Sequence, residues 1–330
     1  MGIFDSDIFT MSSLTASINQ VTYTPSQIGD AGLFDAEGIS TTSLVIESDG
    51  ETLGLVESKP RGAPGTVVGA NKRTGVSFQA AHLPTTATVL ADEVQNVRAF
   101  GSEDNEQAVQ EVVNRRLAKM ARVIDMTHEH HRLGAIMGKV MNSNGTSVLY
   151  DLFSTFGMTQ KTVEMKLDTA NTDVQSICLD IHEAVEDALG GLSYTGITVR
   201  CGKTFWRKLI SHKAVREAYQ RYQDGARLRD DPRDGFPFGG IFWERYRGGG
   251  TVKVPDAEAY ATPEGVMDLH ITRFAPADYM DAVNTLGLPF YASSEELPHG
   301  KGVSIEAQSN PAHLSTRPKA NIKLYENTAA

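Results

Sequence analysis

Cysteine is nearly missing: the chain has 2 in 330 residues, Cys178 and Cys201, and no Cys-x-x-Cys pair. That excludes a disulfide framework and a zinc ribbon, and suits a reducing cytosol with both thiols buried, one on an apolar helix face and one in an apolar strand. No lysine or arginine precedes Lys59, so the charged region of a secretory signal is lacking, and no apolar stretch of the required kind follows. Met1-Gly2-Ile3-Phe4-Asp5-Ser6 fits the bare myristoylation pattern, but there is no polybasic second anchor, and Asp5 and Asp7 stand beside it, so lipidation is not expected. No apolar run approaches the roughly 18 residues of a spanning helix, so no membrane partner is expected. The formal charge of -10 is spread thinly, which argues against a surface that grips nucleic acid by counterion release.

What is present is a chain 40% hydrophobic, able to bury a sizeable core in two or three substructures. Its most informative segment runs from Glu103 to Asn142. Gly101 breaks, Ser102 can cap, and Glu103, Asp104 and Glu106 set negative charge at the positive end of the helix dipole. Val109, Val112, Val113, Leu117, Met120, Ile124, Ile136, Met137 and Val140 mark a narrow apolar stripe, so one packed side is expected. Such a helix of about forty residues is about 60 Å long at about 1.5 Å per residue. A compact chain of this length has a radius of gyration of roughly 20 Å, so the helix spans or overshoots it. The protein therefore reads as an L-shaped or plate-like piece of something larger.

Around this helix the texture changes four times. Residues 1–40 are polar and broken by Pro25, Gly29, Gly32 and Gly38, an extended arm. Residues 41–90 hold Ser43–Glu47 and Thr52–Glu57, joined through an Asp49-Gly50 hairpin signal, and a third run at Gly75–Ala80. They form a two-stranded projection with too little apolar surface to stand alone. Its tip, Lys59 to Thr74, carries Lys59, Arg61, Lys72 and Arg73 and no acid. Thr172–Leu189 spells a second amphipathic helix that stops at Gly190-Gly191. From 192 to 285 a strand (Ile197–Cys201), helices (Thr204–Ile210, Lys213–Tyr222), a hairpin (Gly240–Arg247 with Thr251–Pro255 over Gly248-Gly249-Gly250) and a strand (Val266–Phe274) make a mixed α/β unit. Gly302–Gln308 and Ala320–Tyr325 close the chain as strands.

Three constellations invite chemistry, and each fails on spacing. His128-Glu129-His130-His131 lacks the i, i+4 histidine pair of a zincin, since Arg132 stands four residues after His128. Hydrated or subunit-contact histidines are expected instead. Gly202-Lys203-Thr204 follows a strand and opens a helix, but Gly196 lies one position too far for a phosphate loop, and the intervening residues are the strand itself. Asp230-Asp231-Pro232-Arg233-Asp234-Gly235 lacks the alternate oxygen ligands and closing Glu of a calcium loop. With no Gly-x-Ser-x-Gly elbow and no dinucleotide fingerprint, no catalytic, cofactor-binding or metal-binding residue is expected, and no cofactor.

The closing segment Ile305-Glu306-Ala307-Gln308-Ser309-Asn310-Pro311-Ala312-His313-Leu314, followed by Arg317-Pro318 and a final strand, resembles the Gln-Ser-x-Pro-Leu ending of the major capsid protein E family of lambda-like tailed phages. Ala312 departs from the usual Leu after the proline. Thr204-Phe205-Trp206-Arg207-Lys208-Leu209 with Lys213-Ala214-Val215-Arg216-Glu217 is similar to the family's Lys-Ala-Val-Lys-Glu stretch, and Glu103 to Phe153 to its helix, turn and strand.

The resemblance implies an α+β Hong Kong 97-type capsid fold. In it, residues 1–40 are the N-terminal arm, 41–90 the extended E-loop, 91–191 the peripheral domain with its spine helix 103–142, 192–285 the axial domain, and 286–330 the return strands of the peripheral domain. It also implies a major capsid protein, assembled in the host cytoplasm as hexamers and pentamers and residing in the virion capsid. Scaffold, portal and possible decoration proteins and loosely held double-stranded DNA are its implied partners; since no long charged helix precedes the arm, the scaffold is expected to be a separate chain. Lys59, Arg61, Lys72 and Arg73 would dock on an adjacent copy. A nanocompartment shell of the same fold, enclosing protein cargo, is the alternative; a metal- or nucleotide-dependent enzyme is the alternative of another class.

Overall fold

Asn105–Met137 forms one helix of 33 residues, about 50 Å long at about 1.5 Å per residue, in a computed structural model that describes residues 9–21, 26–48, 74–94, 105–226 and 235–326. The expected span of 103–142 is cut short at its far end. Gly138 takes a φ of +84, which a helix does not continue through, and Lys139–Met141 turns back as a strand paired with Val148–Asp151. Periodicity ran past this stop because Val140, on the strand, is as fully buried as Ile136 on the helix. Residues 103 and 104 lie outside the described residues.

The helix passes through two cores. Val109, Val113, Leu117 and Ile124 pack with Leu14 and Ile18 of the helix Met11–Asn19 and with Val303, Ile305 and Ala307 of a sheet. Farther on, Leu133 and Ile136 meet Ile28, Val254 and Tyr260. A single packed side therefore holds only for the first part, where Arg115, Lys119, Arg122 and Met126 are exposed; from His128 to Gly138 no residue is exposed.

A six-stranded sheet runs in the order Thr162–Glu164, Ile322–Tyr325, Glu258–Glu264, Gly196–Cys201, Ile241–Arg245, Phe236–Phe238. Ile197, Val199 and Cys201 alternate onto one face. There they share a core with Cys178, Ile181 and Val185 of the helix Val174–Leu189 and with Phe205, Leu209 and Val215 of the helices Lys203–Ser211 and Lys213–Ala226. Asp173 caps the first of these helices by accepting from Gln175 N and Ser176 N, and Gly190 ends it at φ 61. The sheet and its helices thus gather residues from both sides of the boundaries expected at 191/192 and 285/286.

The expected hairpin over Gly248-Gly249-Gly250 does not form. Ile241–Arg245 pairs in parallel with Gly196–Cys201 and antiparallel with Phe236–Phe238, while the three glycines turn the chain so that Val252 and Val254 enter the core around Leu133. A second sheet, of three strands, aligns Tyr291–Glu296, Gly302–Ser309 and Leu83–Leu90, so residues 83–90 belong to the body of the subunit rather than to the projection. A third joins Asp35–Gly38, His270–Phe274 and Pro311–Ser315. Ser43–Ser48 pairs with Thr74–Gln79 as a two-stranded ribbon, from Ser43 opposite Gln79 to Ser48 opposite Thr74. The Asp49-Gly50 turn, Thr52–Glu57 and the basic tip lie outside the described residues.

A Cβ on Gly138 would stand 2.0 Å from a ring carbon of Phe153, at a φ that side chains rarely adopt. Gly138→Ala is therefore expected to destabilise the subunit by about 2 kcal/mol. Urea unfolding of the isolated subunit measures it; an unchanged midpoint contradicts the assigned helix stop.

Candidate functional site

The loop that imitates a phosphate cradle is closed by its own chain. The carbonyl of Asp256 accepts from Thr204 N at 2.9 Å and Phe205 N at 2.8 Å, the amides that a bound phosphate would need. A Cβ on Gly202 would lie 2.0 Å from the Pro255 carbonyl oxygen, so the helix start is in contact with backbone. Lys203 is exposed. Asp230, Asp231 and Asp234 lie outside the described residues, as do Lys59, Arg61, Lys72 and Arg73.

His128 and His131 are neither hydrated nor at a contact surface, while His130 is half-buried. His128 and His131 are each 2% exposed, and His313 of Pro311–Ser315 is 1% exposed. The His313 ring lies 5.3 Å from that of His128 and 6.2 Å from that of His131, centroid to centroid. Phe34 approaches from the arm, 5.0 Å from His270 and 6.0 Å from His313. His128 Nε2 bonds Ser309 Oγ at 3.0 Å, and His313 Nδ1 bonds Thr272 Oγ1 at 2.8 Å. The cluster fills the joint between the spine helix and the strands His270–Phe274 and Pro311–Ser315. Burial lowers the pKa of each, and the Arg132 guanidinium adds to this at His128 and His313. Among the described residues no group of three or more His, Cys, Asp or Glu is placed to hold a metal ion. A sequence signal for this burial exists: His128 and His131 continue the stripe from Ile124 at i+4 and i+7.

Glu129, the residue between them, makes the more consequential contacts. It is 4% exposed. Its Oε1 accepts from Ile28 N and from the Tyr246 hydroxyl, each at 2.9 Å, and its Oε2 accepts from Gly29 N at 3.2 Å. The short helix Gln27–Asp30 has no side-chain bond from its own N-cap, Ser26, so Glu129 supplies that function from another part of the chain. Gln27 adds a second tie: its Nε2 donates to Arg245 O at 3.2 Å and its Oε1 accepts from Arg247 N at 2.9 Å. Arm, spine helix and sheet thus meet at one polar junction, which a search for catalytic motifs does not reveal.

The arrangement holds parts of the chain together. Comparison with known proteins agrees. The profile of the family described as phage major capsid protein E matches residues 10–325. The major capsid protein of Pseudomonas phage KPP10 is 30% identical over 319 residues, 88% of this chain and 90% of that one. The major capsid protein of Salmonella phage Felix O1 is 26% identical over 355 residues, 96% of each. Among solved structures, the capsid of Myoviridae phage XM1 matches with a TM-score of 0.53 at 11% identity, covering 92% of this chain and 94% of that one. The cyanophage A-1(L) capsid matches with 0.50 at 12%, covering 93% and 95%. The fold these likenesses share is the Hong Kong 97-type capsid fold. The chain belongs to the phage major capsid protein E family. It is a structural protein of the virion shell, not an enzyme. No helix among the described residues is long and apolar enough to cross a membrane.

Glu129→Ala leaves two backbone amides and a hydroxyl without their acceptor, so a loss of about 3 kcal/mol is expected, against about 1 kcal/mol for Tyr246→Phe. Urea unfolding of the two variants decides; equal, small losses would show that Glu129 does not hold the junction together.

The histidine joint gives a pH dependence. Folding holds His131 at about 4 and His270 at about 3, below the ordinary 6.5, so the unfolded chain binds their protons first. Their stabilising neutral packing is complete above about pH 6.5 and is lost as the pH falls toward 4, by about 1.4 kcal/mol per unit for each histidine. Unfolding midpoints at pH 7, 6 and 5 should fall, and His131→Phe should make that fall shallower; a slope unaffected by the substitution contradicts the assignment.

Proposed function

We propose that this chain is the repeating subunit of the icosahedral head of a tailed phage, assembled as hexamers and pentamers around a double-stranded DNA genome. Family membership across residues 10–325 carries the reading. The surface supports it: Met280, Val283, Leu286 and Leu288 stand exposed at 89%, 57%, 69% and 43% within one short segment, which suits a subunit that is covered by neighbours.

In this reading residues 1–40 form the arm, and the E-loop, expected over 41–90, ends before the strand Leu83–Leu90 and is rooted by Phe78 packing on Leu152, Ile271 and Leu314. The spine helix belongs to the peripheral domain, expected over 91–191, and the span 192–285 supplies most of the axial domain, whose core also takes in the helix Val174–Leu189 and the strand Ile322–Tyr325 of the returning residues 286–330. Lys59, Arg61, Lys72 and Arg73 dock on acidic surface of an adjacent copy, each pair contributing little and the sum over a shell contributing much. A scaffold chain, a portal and a decoration protein are the expected protein partners. DNA is held without sequence preference, in keeping with a formal charge of -10.

Negative-stain microscopy of the protein, expressed alone and with a scaffold gene, should show closed shells; strictly monomeric protein in both preparations overturns the proposal. Deleting residues 59–74 should leave the subunit folded, with a near-native melting temperature, but unable to form regular shells. Normal shells from the deletion remove that segment from assembly.

A further inference from the structure

Three helices that share one core present opposite charge to the outside. Val174–Leu189 contains no lysine or arginine, and the stripe opposite its buried Cys178, Ile181 and Val185 is Asp180, Glu183 and Asp187, all exposed. The helices Lys203–Ser211 and Lys213–Ala226 bury Phe205, Leu209 and Val215 in that same core and expose Lys203, Arg207, Lys213, Arg216 and Arg221. Glu217 is the one acid from Lys203 to Arg221, and it lies 3.5 Å from Arg221. Lys208 is not part of this set, because Asp168 at 2.8 Å and Glu326 at 3.3 Å hold it. Apart from Glu217 with Arg221, no ion pair within the described residues reaches either stripe.

We infer that the basic face of Lys203–Ser211 and Lys213–Ala226 docks on the acidic stripe of Val174–Leu189 of a second copy. This rests on the shell-subunit reading and specifies one contact within it. No ion pair among the described residues joins the two stripes, so neither neutralises the other within a subunit. A neighbour turned about a ring axis offers each stripe its opposite, a head-to-tail contact that repeats until the ring closes. Complementary sign fixes register and rejects the alternative of like meeting like. Duplex DNA suits this surface less well: it carries a charge about every 1.7 Å along its axis, and the acidic stripe beside the basic one repels it. A second copy satisfies both stripes.

The test is a charge exchange in the full-length chain, with shells counted by sedimentation and microscopy. Arg207→Glu, Lys213→Glu and Arg216→Glu together reverse one face; Asp180→Lys, Glu183→Lys and Asp187→Lys together reverse the other. Each triple variant should keep its circular dichroism and melting temperature and lose assembly about tenfold or more, the sum expected of three exposed pairs per contact. A chain bearing all six substitutions restores opposite signs at every contact and should recover shells.

Unimpaired assembly of either triple variant overturns the inference, as does failure of the folded six-fold variant to recover. So does a basic-face variant that assembles normally but retains less DNA, which assigns that face to the genome. If the wild-type chain stays monomeric both alone and with a scaffold gene, the shell reading itself falls and takes this contact with it.

Discussion

A carboxylate with almost no access to water must collect hydrogen-bond donors or destabilise the fold. Glu129 collects three, and they come from two distant parts of the chain: the amides of Ile28 and Gly29 in the arm, and the hydroxyl of Tyr246 just past the strand Ile241–Arg245. Since the acceptor sits on the spine helix, three separate substructures become mutually dependent. Arm residues 26–34 cannot leave without stranding Glu129, and the sheet cannot shift from the helix without losing Tyr246. Gln27 reinforces the constraint by both donating to and accepting from the backbone at 245 and 247. The arm is thus in part a component of the folded subunit, and Phe34 extends it into the histidine joint.

That joint solves the same problem differently. Where the spine helix is surrounded on all sides, its residues must fill space without demanding water. His128 and His131 do so as neutral rings beside His313 and the aromatic rings of Phe274 and Phe290, each ring near aromatic stacking range. A polar residue type thereby becomes core filling, at the expense of tolerance to acid.

Local pattern carried much of this fold and failed where partners are distant. The helix Val174–Leu189, with its Gly190 stop, and the strands Gly196–Cys201 and Gly302–Ser309 are legible because amphipathic spacing and punctuation agree; Asp173 falls inside the helix expected from Thr172 and is instead its cap. The strand Glu258–Glu264 was hidden, since Ala259 and Ala261 bury little surface and Pro263 argues against a central strand. The strand Pro311–Ser315 was hidden inside the closing segment because its partner, His270–Phe274, lies some forty residues away in sequence. The spine helix was overextended because a strand residue, Val140, completes a helical spacing. At the junction, Glu129 was visible only as a charge between histidines, and nothing local to it names Ile28 or Tyr246 as its donors.

Where stability sits decides how such a subunit can build. The strongest internal ties converge on the far half of the spine helix, around Glu129, the histidines and Leu133. In the proposed shell the charged stripes make contacts that are individually weak. Weak contacts let a misplaced copy leave before its neighbours trap it, and repetition over many copies still makes the closed assembly stable. A rigid junction is the complementary requirement: a copy that deformed on docking would spend the small energy of each contact on its own distortion, and errors would then be indistinguishable from correct placement.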